Sequence, residues 1–261
     1  MARLRRLRIF LLIAKSMSLI IVPGHSIWKY FEGYDSEAPG TSSSEWELAS
    51  FQKEADDHLA FIEHVKIGVD QLIRTENSIL IFSGGQTKES CGPISEAQSY
   101  WFLAKALGLY ENQSVASRIH TEEYARDSFE NVLFSILRYK EIVGDYPKSL
   151  TIVGLGFKKA RFVHQHFPAL SWEGEYEYIS VGPTLLDSFF SDCVTEAQRK
   201  EKEEAYFSDL ESSEMKYAVS EFSRDPFGKG PVLSAKRRLR DPFKRGCPYR
   251  DEKYFDMLDS N

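Results

Sequence analysis

A mainly parallel α/β sheet with helices on both faces is the fold class that three observations predict. Short aliphatic runs recur at 19–22 (LIIV), 79–82 (ILIF), 149–153 (SLTIV) and 178–181 (YISV). Each run stops at glycine or proline, within one or two residues. Between the runs, apolar residues recur three or four apart, the period of a helix buried along one side. Runs without polar alternation are buried on both faces, the condition of strands in a parallel sheet crossed over by helices. A hydrophobic content of 42% is enough for such a core,.

Residues 1–16 read as a basic extension. Arg3, Arg5, Arg6, Arg8 and Lys15 flank the apolar run 9–14, and no acidic residue precedes Glu32. The run is far shorter than the roughly 20 apolar residues a membrane span needs. Membrane association is therefore expected only through residues 1–16. A mitochondrial or membrane-targeted N-terminus is the alternative to a cytoplasmic protein. Residues 17–190 are expected to form the α/β domain, and 191–261 a charged helix and a tail packed on it.

The first strand closes in Pro23-Gly24-His25-Ser26, so Gly24 and His25 stand where open α/β sheets meet ligands,. Residues 34–44 are a surface loop by composition, and Glu45 to Phe51 begin a helical stretch,. Over 58–73, Leu59, Ile62, Val65, Val69 and Leu72 define an amphipathic helix,. His58, Glu63 and His64 lack the spacing of a zinc helix and are expected on its solvated face,.

The strand at 79–82 ends in Ser83-Gly84-Gly85-Gln86, whose glycines allow a ligand close to the backbone,. The turn lacks the glycine spacing and the Lys-Ser/Thr of a phosphate loop. Ser95 and Gln98 form a capping box for a helix that Gly108 closes, with Glu96 in its first turn,. A short strand at 117–120 leads to Glu122 and a helix capped by Asp127 or Ser128, burying Phe129, Val132, Leu133, Ile136 and Leu137. The N–H groups at that helix start are candidates for cradling an anion, with Arg126, Glu130 and Asn131 beside them,. After 149–153, Gly154 and Gly156 with Lys158 and Arg161 make a second anion-binding corner,.

Beyond Pro183 the character changes. Residues 195–209 are a charged helix, and RDPF occurs at 224–227 and 240–243 with a basic run, 236–240, between. One basic run in a chain of net charge −6 is not a nucleic-acid signature, so nucleic acid is not an expected partner,. The tail is expected to wrap the domain, with Phe227, Phe243, Tyr249 and Tyr254 as anchors. Cys91, Cys193 and Cys247 contain no CxxC pair, which fits a reducing compartment,. No metal is expected.

The motifs in combination resemble the YdcF/SanA/ElyC-like domain of unknown function 218 family. Ser83-Gly84-Gly85 followed by Ser95-Glu96-Ala97 is one shared element. Glu122 with residues 125–131 (ARDSFEN) resembles that family's E-x-x-S-R-N-T-x-E-N, with Ala125, Asp127 and Ser128 replacing Ser, Asn and Thr. Lys158-x-x-Arg161 stands where bacterial members show H-x-x-R. The eukaryotic, fungal-type branch is closer, through HSIW (25–28), WELASFQ (46–52), FSGGQT (82–87), SEAQSY (95–100) and GFKKARF (156–162). The resemblance covers 19–183 and implies a Rossmann-like three-layer α/β/α domain with a helical and irregular C-terminal extension. It implies a small-molecule ligand of nucleotide type or phosphorylated, with S-adenosylmethionine a candidate. Lysine at 158 argues against any mechanism that needs an imidazole there.

Two functions follow from these residues. As a transferase or hydrolase, the protein would hold an anionic group with Gly84, Gly85 and the Ser128 helix end, and neutralise it with Lys158 and Arg161. Glu96, Glu122 or Glu130 would then act as acid or base. The alternative is a non-catalytic ligand-binding or regulatory module that keeps the same pocket without turnover.

Overall fold

The computed structural model describes residues 18–29 and 37–258, and five strands in it form one parallel sheet. Strand β1 (Ser18–Pro23) is central, pairing with β2 (Ser78–Ser83) on one side and β4 (Ser149–Gly154) on the other. The edges are β3 (Ile119–Glu122) beside β2 and β5 (Glu175–Ser180) beside β4. The order is β3-β2-β1-β4-β5. The chain therefore winds outward from β1 to β3 and returns to the other side of β1 for β4 and β5. Where that winding reverses, between β1 and β4, a crevice opens at the strands' carboxyl ends.

The pleat sends alternate residues of β1 into two cores. Ile20 and Val22, with Leu80 and Phe82, meet Phe61, Val65 and Val69 of α1 (Asp57–Arg74) and Tyr100 and Leu103 of α2 (Glu96–Ala106). Leu19 and Ile21, with Ile81 and Ile152, meet Phe129, Leu133 and Ile136 of α3 (Ser128–Val143) and Phe162 and Phe167 of the helical stretch 159–169. Each fully buried aliphatic or aromatic side chain contributes about 1.5–3 kcal/mol. Gly68 lets α1 lie close on the sheet, because a Cβ there would stand 2.5 Å from Val22 Cγ2. The result is a Rossmann-like three-layer α/β/α fold.

Several expectations are corrected. Strand β3 runs from Ile119 to Glu122, and β5 begins at Glu175. Residues 45–51 are not a helix: a 3-10 turn covers Ser43–Glu45, Trp46 bridges Trp28 antiparallel, and helix resumes only at Ser50–Lys53. The cause is the buried Glu45 carboxylate, which accepts from Gly40 N, Ser42 N and Trp28 Nε1 and pulls the segment into a turn. His58 and His64 are buried, not solvated, because 37–49 and the strand-end loops cover that side of α1; only Glu63 of the three is exposed. The predicted extension, 1–16, lies outside the described residues. Among the described residues no helix is long and apolar enough to cross a membrane.

The C-terminal extension is part of the second core. It contains α4 (Glu196–Glu214) and α5 (Pro231–Leu239), and Phe222, Leu233, Tyr249, Tyr254 and Leu258 are buried against α3 and the sheet. Phe227 packs there too, but Phe243 is 38% exposed and is no anchor. The stronger fixture is ionic. Arg237 Nε lies 2.6 Å from Asp127 Oδ2 and 3.3 Å from Glu130 Oε1, with all three side chains nearly inaccessible. Removing one partner of such a set strands buried charge. Arg237→Ala is therefore expected to cost about 3–5 kcal/mol in a urea unfolding titration. A loss under about 1 kcal/mol would show that the tail is not held by this set.

Candidate functional site

The crevice between β1 and β4 gathers side chains from four directions. His25 follows β1, and Lys158 lies in the turn after β4; Lys158 Nζ stands 3.3 Å from His25 Nδ1. Arg161, next along the helical stretch, pairs with Glu214 at the end of α4 through a 2.8 Å contact. Arg240, just beyond α5, adds its field to His25, Glu96, Lys158 and Arg161 while its guanidinium donates to Arg126 O. Burial, reinforced by Arg161, lowers the Lys158 pKa to about 8. Burial first and Lys158 second push His25 well below its usual range, so its imidazole is neutral at pH 7.

Glu96, in the first turn of α2, lies beside this cluster, between the ends of β1 and β2 and in the field of Lys158 and Arg240. A Cβ at Gly24 would stand 2.5 Å from Glu96 Cβ, and one at Gly84 2.7 Å from Glu96 Oε2. The glycines at the ends of β1 and β2 thus make room for this carboxyl group. Thr87 Oγ1 donates to Glu96 Oε1 at 2.5 Å, yet burial still raises the Glu96 pKa. Burial therefore favours the protonated form of Glu96 more than in water, and a protonated carboxyl group can donate to a leaving oxygen,.

The backbone N–H groups of this edge are already committed. Gly84 N donates to Glu122 O, Gly85 N to Ala125 O, Glu96 N to Gly85 O, Ala97 N to Gly84 O and Gly24 N to Ser83 O. The Ser83-Gly84-Gly85 turn is a joint between loops, and its amides do not face the crevice as an anion cradle. Gln86 Nε2 donates to Pro93 O, and Ser95 caps α2 through Gln98 N, so both shape the intervening loop.

The residues expected around the start of α3 form a separate, closed cluster. Asp127 Oδ1 accepts from Glu130 N at 2.9 Å, and Glu130 accepts from Arg126 N and from the Arg126 guanidinium. Ser128 Oγ bonds His166 Nε2 at 2.8 Å. Arg237 closes the group, so the expected anion cradle is filled by the protein's own charges. Beside it, Ser83 Oγ donates to Glu122 Oε2 (2.8 Å) and Asn131 Oδ1 (2.9 Å), while Tyr124 N and the tail's Tyr249 hydroxyl donate to Glu122 Oε1. Burial raises the Glu122 pKa to about 7 against these hydrogen bonds.

The structure therefore brings together Gly24, His25, Gly84, Glu96, Lys158 and Arg161, and assigns Ser83, Gly85, Glu122, Arg126, Asp127, Ser128, Glu130 and Asn131 to the joint and its tail contact. Sequence reasoning missed Thr87, His64, Glu214 and Arg240. The basic run 236–240 was a signal for Arg240 and the FSGGQT motif (82–87) for Thr87; His64 and Glu214 carry none. Among the described residues no group of three His, Cys, Asp or Glu side chains is placed to hold a metal ion.

Fold and side-chain cluster define a Rossmann-like α/β protein with His25, Lys158 and Arg161 gathered beside its topological switch point. The chain belongs to the family of an uncharacterised Saccharomyces cerevisiae protein, YOR238W. The two are 34% identical over 273 aligned positions, covering 90% of this chain and 87% of the yeast protein. No protein-family model matches the chain, and no solved structure does.

Glu122 generates a pH dependence. Its folded form holds the proton more tightly than the unfolded chain, so its contribution is complete below about pH 4.5 and is lost as pH rises to about 7,. Glu122→Gln, which cannot ionise, is expected to remove roughly 3 kcal/mol of that decline between pH 4 and 8. Parallel pH profiles of unfolding free energy for the two proteins would contradict this.

Proposed function

We propose that the protein binds a phosphorylated or nucleotide-type small molecule in the switch-point crevice and acts on it as a transferase or hydrolase. The observation that carries the reading is positive charge with few direct ion pairs, although Glu214 and Asp57 lie in the field of Lys158. Among the described residues, neither Lys158 nor Arg240 has a carboxylate within ion-pair distance, and Arg161 shares the space with a single partner, Glu214. A half-buried ammonium without a counter-ion is costly, and a phosphate offsets that cost. In this reading Lys158, Arg161 and Arg240 neutralise the anionic group, and Glu96 is the acid that protonates a leaving oxygen. The cationic surplus favours a phosphate over the sulfonium of S-adenosylmethionine. Glu96, Lys158 and Arg161 are also motif residues of the resemblance, which supports extending the family to the YdcF/SanA/ElyC-like domain. Three free cysteines support a cytoplasmic location,.

Thermal-shift titration against nucleotides, sugar phosphates and S-adenosylmethionine tests the reading. A true ligand at about 100 times its Kd should stabilise by roughly 2.7 kcal/mol. Lys158→Gln is expected to abolish the shift. Glu96→Gln is expected to retain binding and lose turnover of any hit. Binding without turnover by the unaltered protein would favour a regulatory module. A flat response across the panel would remove the crevice reading.

A further inference from the structure

The outward side of α5 is apolar and ringed by cations. On this nine-residue helix Leu233 and Arg237, four apart, turn inward, Leu233 into the second core and Arg237 onto Asp127. Val232 and Leu239, seven apart and so on one face, turn outward, and Leu239 is 82% exposed,. Tyr217, more than half exposed, adjoins them, because Lys236 Nζ donates to its carbonyl oxygen at 2.7 Å. At about 3.6 residues per turn, Lys236 and Arg238 fall on opposite sides of the line from Val232 to Leu239. Lys216 stands 4.9 Å over the Tyr217 ring. Among the described residues none of these three cations is paired with a carboxylate, and Glu221, one turn beyond Tyr217, faces Arg224. A single exposed leucine needs no explanation, but an apolar strip between cations is an arrangement that the fold does not use. The charge is segregated too: from 229 to 250 eight basic residues stand against one acid, Asp241, in a chain of net charge −6.

We propose that this face of α5, with the adjoining Tyr217, docks on a lipid surface that carries anionic headgroups. Val232, Leu239 and Tyr217 enter among the headgroups, and Lys216, Lys236 and Arg238 meet their negative charge. Such a helix lies in the interface and does not span it, so its nine residues suffice,. Charge complementarity alone would suit a nucleic acid equally. A phosphate backbone, however, is met by cations at the centre of the contact, whereas here the apolar side chains hold the centre and the cations the rim. The inference is independent of any ligand in the crevice. It places the contact on the folded tail, whereas the sequence pointed only to residues 1–16. Arg3, Arg5, Arg6 and Arg8 beside the apolar run 9–14 are a second basic and apolar stretch on the same chain, and two such stretches reinforce each other's attachment,.

Co-sedimentation of the full chain with phosphatidylcholine vesicles, with and without about 30% phosphatidylserine, tests the proposal. Binding is expected to the anionic vesicles only. It should fall as salt rises from about 0.1 M to about 1 M, since the Debye length shrinks from about 10 Å to about 3 Å. Lys236→Gln combined with Arg238→Gln should lower the partition coefficient about 25-fold, at roughly fivefold for each cation. Leu239→Ser should lower it about tenfold. These side chains stand outward, so the variants should keep the melting temperature of the unaltered protein. Should one of them unfold, Leu239→Trp supplies a second reading: bromine-labelled lipid in the anionic vesicles should quench the added tryptophan. Equal binding by the unaltered protein and the variants, with no quenching at 239, would assign the attachment to residues 1–16 and overturn the proposal. Equal binding to both kinds of vesicle would overturn it as well. So would a failure to bind either kind, whether or not the protein is retained by heparin as a soluble polyanion.

Discussion

Everything at the carboxyl edge of the sheet depends on one carboxyl group entering between two strands. Glu96 can occupy that position only because β1 and β2 both end in residues without a Cβ, Gly24 and Gly84. With the side chain in place, the start of α2 docks on the turn through Glu96 N and Ala97 N, and the turn docks on the 122–125 loop through Gly84 N and Gly85 N. The glycine pair thus serves close packing within the protein. The proposed ligand would meet the opposite wall, where side-chain cations stand instead of the backbone amides that a phosphate loop would use.

Two buried charge systems flank this edge and differ in balance. In the Arg126–Glu130–Arg237–Asp127 cluster, cations and carboxylates meet in direct pairs, and it holds the tail to the start of α3. In the crevice, only Arg161 has a direct carboxylate partner, Glu214, while Lys158 and the exposed Arg240 have none; Asp57 and the buried Glu96 lie in the field of Lys158. Direct pairing is what a structural fixture requires, and the sparser pairing of the second system is what the proposed anion site rests on. Proximity in sequence conceals the difference, since Asp127 and Glu130 read as well as Glu96 for ligand binding.

The architecture was legible because its signals are local. Unbroken aliphatic runs such as LIIV end in glycine or proline, and the helices between them carry three-or-four spacing, which together point to a parallel sheet with crossover helices. The site was legible in part. Strand-end position pointed to Gly24, His25 and Lys158, and the capped helix start to Glu96, but the roles of the glycines depended on where Glu96 lands, which no local pattern encodes. His64 failed outright: on α1 it looks like a polar-face residue, and only the covering segments turn that face inward. Residues 45–51 failed for a related reason, because Glu45 satisfies distant donors that a helix would leave unpaired.

The tail's contribution has a consequence for biosynthesis. Glu122 and Asp127 are made near the middle of the chain, yet the groups that seal them, Tyr249 and Arg237, are synthesised much later. Phe222, Leu233 and Leu258 likewise fill a core whose other members come from β1 and α3. As the polypeptide leaves the ribosome, the sheet can be complete while one of its covering layers still waits for its last third. Until those residues emerge, the apolar face that Phe222, Leu233 and Leu258 cover is open to water, the kind of exposure that makes folding intermediates prone to aggregate,.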